Sequence, residues 1–144
     1  VKIHVHLSTG DLEASVSFYR TLLNAEPAKR HEDYALFITD DPGLELALSI
    51  DPQAKAPPGV HFGIVADTPD LVEVAIERLK GAGVPVDIET GETCCYAVQN
   101  KVWAADPDGR RWETYYVVAE TDEREREGMS CCQERGGEAA ACCP

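Results

Sequence analysis

What this chain has little of narrows its chemistry first. Basic side chains are scarce: 13 lysines and arginines stand against 26 aspartates and glutamates, for a formal net charge of −13. Phosphate backbones are bound by basic patches, so no nucleic-acid partner is expected. Long apolar runs are missing, and nothing approaches the roughly 20 apolar residues that cross a bilayer. The first residues carry no basic-then-apolar signal pattern, so a cytoplasmic protein with no membrane role is expected. Isolated cysteines are missing too. All six come as adjacent pairs, Cys94-Cys95, Cys131-Cys132 and Cys142-Cys143. A bridge between neighbours closes a small strained ring, and cytosolic thiols stay reduced, so a disulfide framework does not explain the pairing. Another chemical reason is needed.

What is present reads as one plan used twice. At 144 residues the chain is about one domain long and can bury a core. KIHVHLS alternates like a strand, and Asp11 can cap a helix whose Leu12, Val16, Tyr19 and Leu23 share one face. YALFIT and LELALSI follow as strands around the turn DDPG. The second copy starts with VHFGIVA. Thr68 and Pro69 then open a helix with Val72, Ala75, Ile76 and Leu79 as its buried stripe, stopped by Gly81 and Gly83. CYAVQ, KVWAAD and RRWETYYVV are the expected later strands, the last after the turn DPDG. The modules span about residues 1–51 and 60–118, joined by the exposed linker PQAKAPPG at 52–59. Residues 119–144 are charged and short of large apolar side chains, so a disordered acidic tail holding two cysteine pairs is expected, with EREREG as the stretch able to form a short helix.

His4 and His61 occupy corresponding places in the two copies, each in the first strand of its module, and Glu113 lies three residues past DPDGRR's glycine-arginine turn. If the two halves face each other, two imidazoles and a carboxylate meet on one inner surface. A two-His-one-carboxylate set with open positions suits non-haem Fe(II), although such ligands also accept other divalent ions. His6 shares a strand face with His4 and is an alternate or supporting ligand. Glu45 is a candidate fourth ligand, and His31, in AKRHED, is expected at the surface.

HVHLSTGDLEASVSFYRTLLNAEP, VHFGIVADTPDL and DPDGRRWETYY, in this order, resemble the vicinal oxygen chelate superfamily, which includes glyoxalase I, extradiol dioxygenases and fosfomycin and bleomycin resistance proteins. The resemblance covers about residues 1–118. It implies an α+β fold of two βαβββ modules and metal roles for His4, His61 and Glu113. TCCYA further resembles the branch of organoarsenical C–As lyases and related cadmium-induced proteins (ArsI and CadI types). In those lyases a vicinal cysteine pair followed by DPDG-x-x-W-E holds trivalent arsenic beside Fe(II).

The thiols agree with that resemblance on their own chemistry. Two thiolates are soft ligands, and a trivalent arsenic with one organic group has two exchangeable positions. Neighbours on a regular strand point to opposite faces, so Cys94 and Cys95 can grip one atom only on a loop or irregular edge. GET just before them suggests a mobile loop; the alternative is that the pair packs as small hydrophobes. Cys131, Cys132, Cys142 and Cys143 suit auxiliary capture of arsenic or another soft metal, or belong to a degenerate tail. Tyr96 and Val98 are either pocket-bordering or plain strand residues, and Gln99 and Lys101 carry no evident signal.

The expected function is Fe(II)- and O2-dependent cleavage of the carbon–arsenic bond in trivalent organoarsenicals, methyl or aryl, releasing arsenite. No catalytic residue beyond the metal centre is expected. The small-molecule substrate and O2 are the expected partners of a monomer or homodimer. The alternatives are non-catalytic sequestration of cadmium or arsenite by the same thiols, and a dioxygenase or glutathione-dependent isomerase in which the pair is incidental.

Overall fold

In the computed structural model, which describes residues 1–124, the doubled plan is present. Strand β1 (Ile3–Thr9) turns Val5 and Leu7 to the core and leaves His4 and His6 on the opposite face. Helix α1 (Leu12–Leu23) starts where Asp11 accepts the Ala14 N–H, and it buries Leu12, Val16, Tyr19 and Leu23 at helical spacing. Strands β2 (Lys29–Arg30), β3 (Tyr34–Thr39) and β4 (Leu44–Ile50) complete a sheet in the order β1-β4-β3-β2, with β1 parallel to β4.

The second module repeats this arrangement with β5 (His61–Val65), helix α2 (Pro69–Gly81), β6 (Asp87–Cys94), β7 (Ala97–Ala105) and β8 (Arg111–Glu120). Its order is β5-β8-β7-β6, with β5 parallel to β8. Thr68 occupies the cap position of α2 without a side-chain cap bond, so Pro69 is the stronger start signal. Gly83, at φ 75, ends the helix as the Val84 N–H returns to the Leu79 carbonyl.

The second module departs from expectation in its strands. CYAVQ and KVWAAD, expected as separate strands, form the single strand β7, while Cys94 closes β6 and Cys95-Tyr96 turn the corner. Glu92, Thr93 and Cys94, expected in a mobile loop, pair with Gln99, Val98 and Ala97. A bulge between Glu89 and Glu92 keeps these poor strand formers in the ladder: Gly91 takes φ 66 and donates its N–H to Asn100 Oδ1 at 2.8 Å. Strand β8 runs two residues into the expected tail, where Glu120 pairs with Ala97. Cys131, Cys132, Cys142 and Cys143 lie outside the described residues.

The helices and inner sheet faces share one core that includes Tyr19, Phe37, Leu46, Leu48, Leu79, Val102 and Trp112. Arg78 of α2 donates from Nε to the Thr21 carbonyl at 2.7 Å and from Nη2 to that of Leu22 at 3.1 Å. Those groups end α1 and have no intrahelical donor, so one guanidinium both caps α1 and joins the modules. The DPDG turn is a second joint. Asp106 accepts the Tyr19 hydroxyl at 2.6 Å, the Arg110 N–H at 2.8 Å and Arg110 Nη1 at 3.1 Å. Arg110 also donates to the Ser8 carbonyl, and Asp108 accepts the Gly10 N–H at 2.9 Å. The end of β1 is thereby tied to the start of β8.

Candidate metal and thiol site

Cross-strand register assembles the non-core face of the second sheet. His61 stands opposite Arg111, Gly63 opposite Glu113, Glu113 opposite Trp103, Tyr115 opposite Lys101, and Lys101 opposite Glu89. The period of two puts these side chains on the face away from Phe62, Trp112 and Val102, which join the core. Lys101, Trp103 and Glu113 are nonetheless buried, at 1%, 3% and 8% exposure, so this face is a recess rather than an open surface.

His61 Nε2 and Glu113 Oε1 lie 3.6 Å apart, while Lys101 Nζ donates to Glu113 Oε2 at 3.0 Å. The His61 ring meets Trp103 edge-on, with centroids 5.3 Å apart, and the Arg111 guanidinium lies 4.2 Å from the Trp103 centroid. Gly63 makes the close approach feasible. A β-carbon there would stand 3.1 Å from Tyr115 Cε1 and 3.3 Å from Glu113 Oε1. An imidazole nitrogen and one carboxylate oxygen thus converge over space kept open by glycine, a donor set that suits a divalent first-row metal.

His4 is placed elsewhere. It lies on β1, an edge strand of the other sheet, with Nδ1 3.5 Å from Glu45 Oε2 and its side chain 58% exposed. His6 Nε2 bonds to Ser49 Oγ at 2.9 Å, and His31 is exposed as expected. The structure brings together two of the three expected ligands. Among the described residues no group of three or more His, Cys, Asp or Glu is gathered as a metal site. Register also separates Glu45 from Glu113. Glu45 opposes His4 as Arg111 opposes His61, and the counterpart of Glu113 is Ala47, opposite His6.

The two neighbouring sulfurs do meet. Cys94 is the last residue of β6, and Cys95 and Tyr96 are the two turn residues, with φ of 52 and 67. Two left-handed residues in a two-residue hairpin are the type I′ pattern, which ordinarily uses Asn-Gly. A non-glycine residue held there costs on the order of 1–3 kcal/mol. The turn takes Cys95 out of strand alternation and sets the two Sγ atoms 3.3 Å apart. Cys94 is buried and Cys95 exposed. Tyr115, in the recess, has a raised pKa: burial raises it most, and the charges of Glu113 and then Cys95 raise it further.

Lys101, Gly63 and Tyr115 were not singled out from the sequence. The signals were a glycine inside a short strand and a lysine alternating with Gln99 and Trp103, both of which need the partner strands before they carry meaning.

Comparison with known proteins agrees with this architecture. Residues 3–114 match the family described as Glyoxalase/Bleomycin resistance protein/Dioxygenase superfamily. The chain is 40% identical over 142 residues to the "Cadmium-induced protein CadI" of Mycobacterium tuberculosis (strain ATCC 25618 / H37Rv), covering 99% of this chain and 92% of that protein. It is 37% identical over 142 residues to the "Trivalent organoarsenical cleaving enzyme" of Bacillus sp. (strain MD1), covering 97% and 88%. A protein of the same name from Thermomonospora curvata is 36% identical over 140 residues, covering 96% and 93%. The crystal structure of a glyoxalase/bleomycin resistance protein/dioxygenase from Alicyclobacillus acidocaldarius shares the fold, with a TM-score of 0.65 at 22% identity over 82% of this chain and 92% of that one. Doubled topology and family match together place this chain in the Glyoxalase/Bleomycin resistance protein/Dioxygenase superfamily.

Proposed function

We propose that this protein cleaves the carbon–arsenic bond of trivalent organoarsenicals, using Fe(II) and O2 and releasing arsenite. The observation that carries this reading is the pair of sulfurs 3.3 Å apart at the β6–β7 turn, on the same sheet as the His61–Glu113 pair. The names of the Bacillus and Thermomonospora relatives support it.

Each residue has a role in this reading. Reduced Cys94 and Cys95 hold the arsenic by displacing its two exchangeable ligands. Bonds of about 2.3 Å, the length of a zinc–thiolate bond, would subtend an angle of about 90° across that 3.3 Å gap. Such an angle suits a pyramidal trivalent centre better than a tetrahedral ion. His61 and Glu113 hold the metal, and His4 is the proposed third ligand, the one now beside Glu45. When bound, Fe(II) supplies oxygen activation at its open positions. Lys101 fixes the second oxygen of Glu113, and Gly63 keeps the space between Glu113 and Tyr115 free. Trp103 packs against His61 and keeps water from that side of the recess.

The test is arsenic speciation after methylarsenite is incubated with Fe(II)-loaded protein, with and without oxygen. Arsenite formed only with both is the expected result, and His4→Ala tests the third ligand separately. Unchanged methylarsenite held on the protein would instead favour the second reading, sequestration of cadmium or arsenite, for which the CadI relative at 40% identity speaks. The tail pairs Cys131-Cys132 and Cys142-Cys143 are proposed as auxiliary capture sites; their removal should lower arsenic stoichiometry more than turnover. A reducing cytoplasm is the proposed setting, because the pair works as thiolates. Among the described residues no helix is long and apolar enough to cross a membrane.

A further inference from the structure

Lys101 is an ammonium almost sealed from water, with two carboxylates across the strands on either side. Its Nζ donates to Glu113 Oε2 at 3.0 Å and lies 5.4 Å and 5.7 Å from the ring centroids of Trp103 and Tyr115. Its direct neighbour on β6 is Glu89. Among the described residues, Glu89 Oε2 is buried with no well-formed hydrogen bond, and Trp103 Nε1 beside it is in the same state. Burial raises the Glu89 pKa, while the charge of Lys101 and, after it, a weak contact from the Trp103 indole N–H pull it partly back, so lysine and carboxylate sense each other. One cation thus has a carboxylate it pairs with and, opposite, a second carboxylate that among the described residues forms no ion pair.

We propose that Lys101 exchanges seats. It pairs with Glu113 in the metal-free protein and moves to Glu89 when a divalent cation is held by His61 and Glu113. This rests on the reading of His61 and Glu113 as metal ligands. An ammonium bound to a ligand carboxylate competes with the incoming cation for the same negative charge, and its own charge repels that cation. The lysine is too enclosed to turn to water, and its four-carbon stem is flexible enough to swing between cross-strand neighbours. A buried charge left without a partner is strongly unfavourable, so Glu113 is released only if another carboxylate receives the ammonium. Glu89 is that receiver. It is a positioning residue, acting on the metal through Lys101, and the exchange accounts for a buried carboxylate oxygen that the proposed reaction does not use.

The test is Mn(II) binding to metal-free protein, followed by calorimetry, with thermal melts to confirm that each variant folds. Glu89→Gln should weaken Mn(II) affinity about tenfold, as loss of a residue supporting a metal ligand commonly does. Adding Lys101→Met to that variant should restore most of the affinity, a strong departure from additivity. Glu89→Asp, which keeps the carboxylate, should bind close to wild type. Wild-type affinity in Glu89→Gln, or additive effects of the two substitutions, would overturn the exchange if Glu113→Gln and His61→Ala still lose metal. Full Mn(II) affinity in Glu113→Gln and His61→Ala would overturn the metal reading and the exchange with it.

Discussion

The two modules share topology and connection order, yet their non-core faces differ. In the first, His4 faces Glu45 and His6 faces Ala47, near solvent and with light polar contacts. In the second, the same register positions hold His61 opposite Arg111 and Gly63 opposite Glu113, and the face closes into a recess with Lys101, Trp103 and Tyr115. A bulky polar side chain has been exchanged for glycine, and alanine for a carboxylate. The doubled fold supplies a scaffold twice, whereas the crowded, charged chemistry is built once. The glycine makes room for the carboxylate, so these two differences belong together.

Substitutions can break that contrast in decreasing order of effect. Cys94→Ser/Cys95→Ser should lower arsenite release about 100-fold or more, because the substrate loses its anchor, while Mn(II) affinity holds; speciation and calorimetry check the two halves of this expectation. Tyr19→Phe deletes a buried hydroxyl that donates to Asp106 and accepts from Trp112, and should cost about 1–3 kcal/mol in urea unfolding at neutral pH.

The same tyrosine sets an alkaline limit. Burial first, and Asp106 second, hold its folded pKa well above the ordinary phenol value of about 10. Above about pH 10 the unfolded chain gives up that proton and the folded one keeps it, so unfolding becomes favoured. Its contribution is therefore complete below that pH and falls as pH rises beyond it. Urea midpoints should fall in wild type above about pH 10, and fall less steeply in Tyr19→Phe, where Tyr115 is the remaining phenol with a raised pKa.

Gly63→Ala should cost about 1–3 kcal/mol through crowding of Tyr115 and Glu113, and should weaken metal binding as well. His6→Ala, at the matching position of the first module, should stay within about 0.5 kcal/mol. Equal effects at the two positions would erase the proposed division between the modules.

Much of the scaffold was legible because its signals are local. Asp11 caps α1 from within the next turn, and the apolar spacing of both helices is set by their own periodicity. Strand β6 was missed because Gly91, Glu92 and Thr93 have little strand preference of their own; pairing with β7 and the Asn100 contact hold them in place. Cys94 and Cys95 were legible as a pair, but their convergence comes from two left-handed residues in a turn without glycine or asparagine. Glu113 and His61 could be matched by position, whereas Lys101 gains its meaning from Glu113 and Glu89, 12 residues away in each direction. Charge pairing across a sheet is a property of register, which a single strand does not encode.

The joint at the DPDG turn also bears on how the chain is made. Arg110 reaches back 102 residues to Ser8, and Asp108 reaches back 98 to Gly10. At about 5–20 residues per second, roughly 5–20 s of synthesis separate the first module from the residues that fasten its opening strand. Contacts so distant along the chain also close slowly once both ends exist. The first copy therefore spends its early life on the ribosome unfastened, and the second copy finishes it. Duplication here has produced two halves that mature in sequence, the later one completing the earlier.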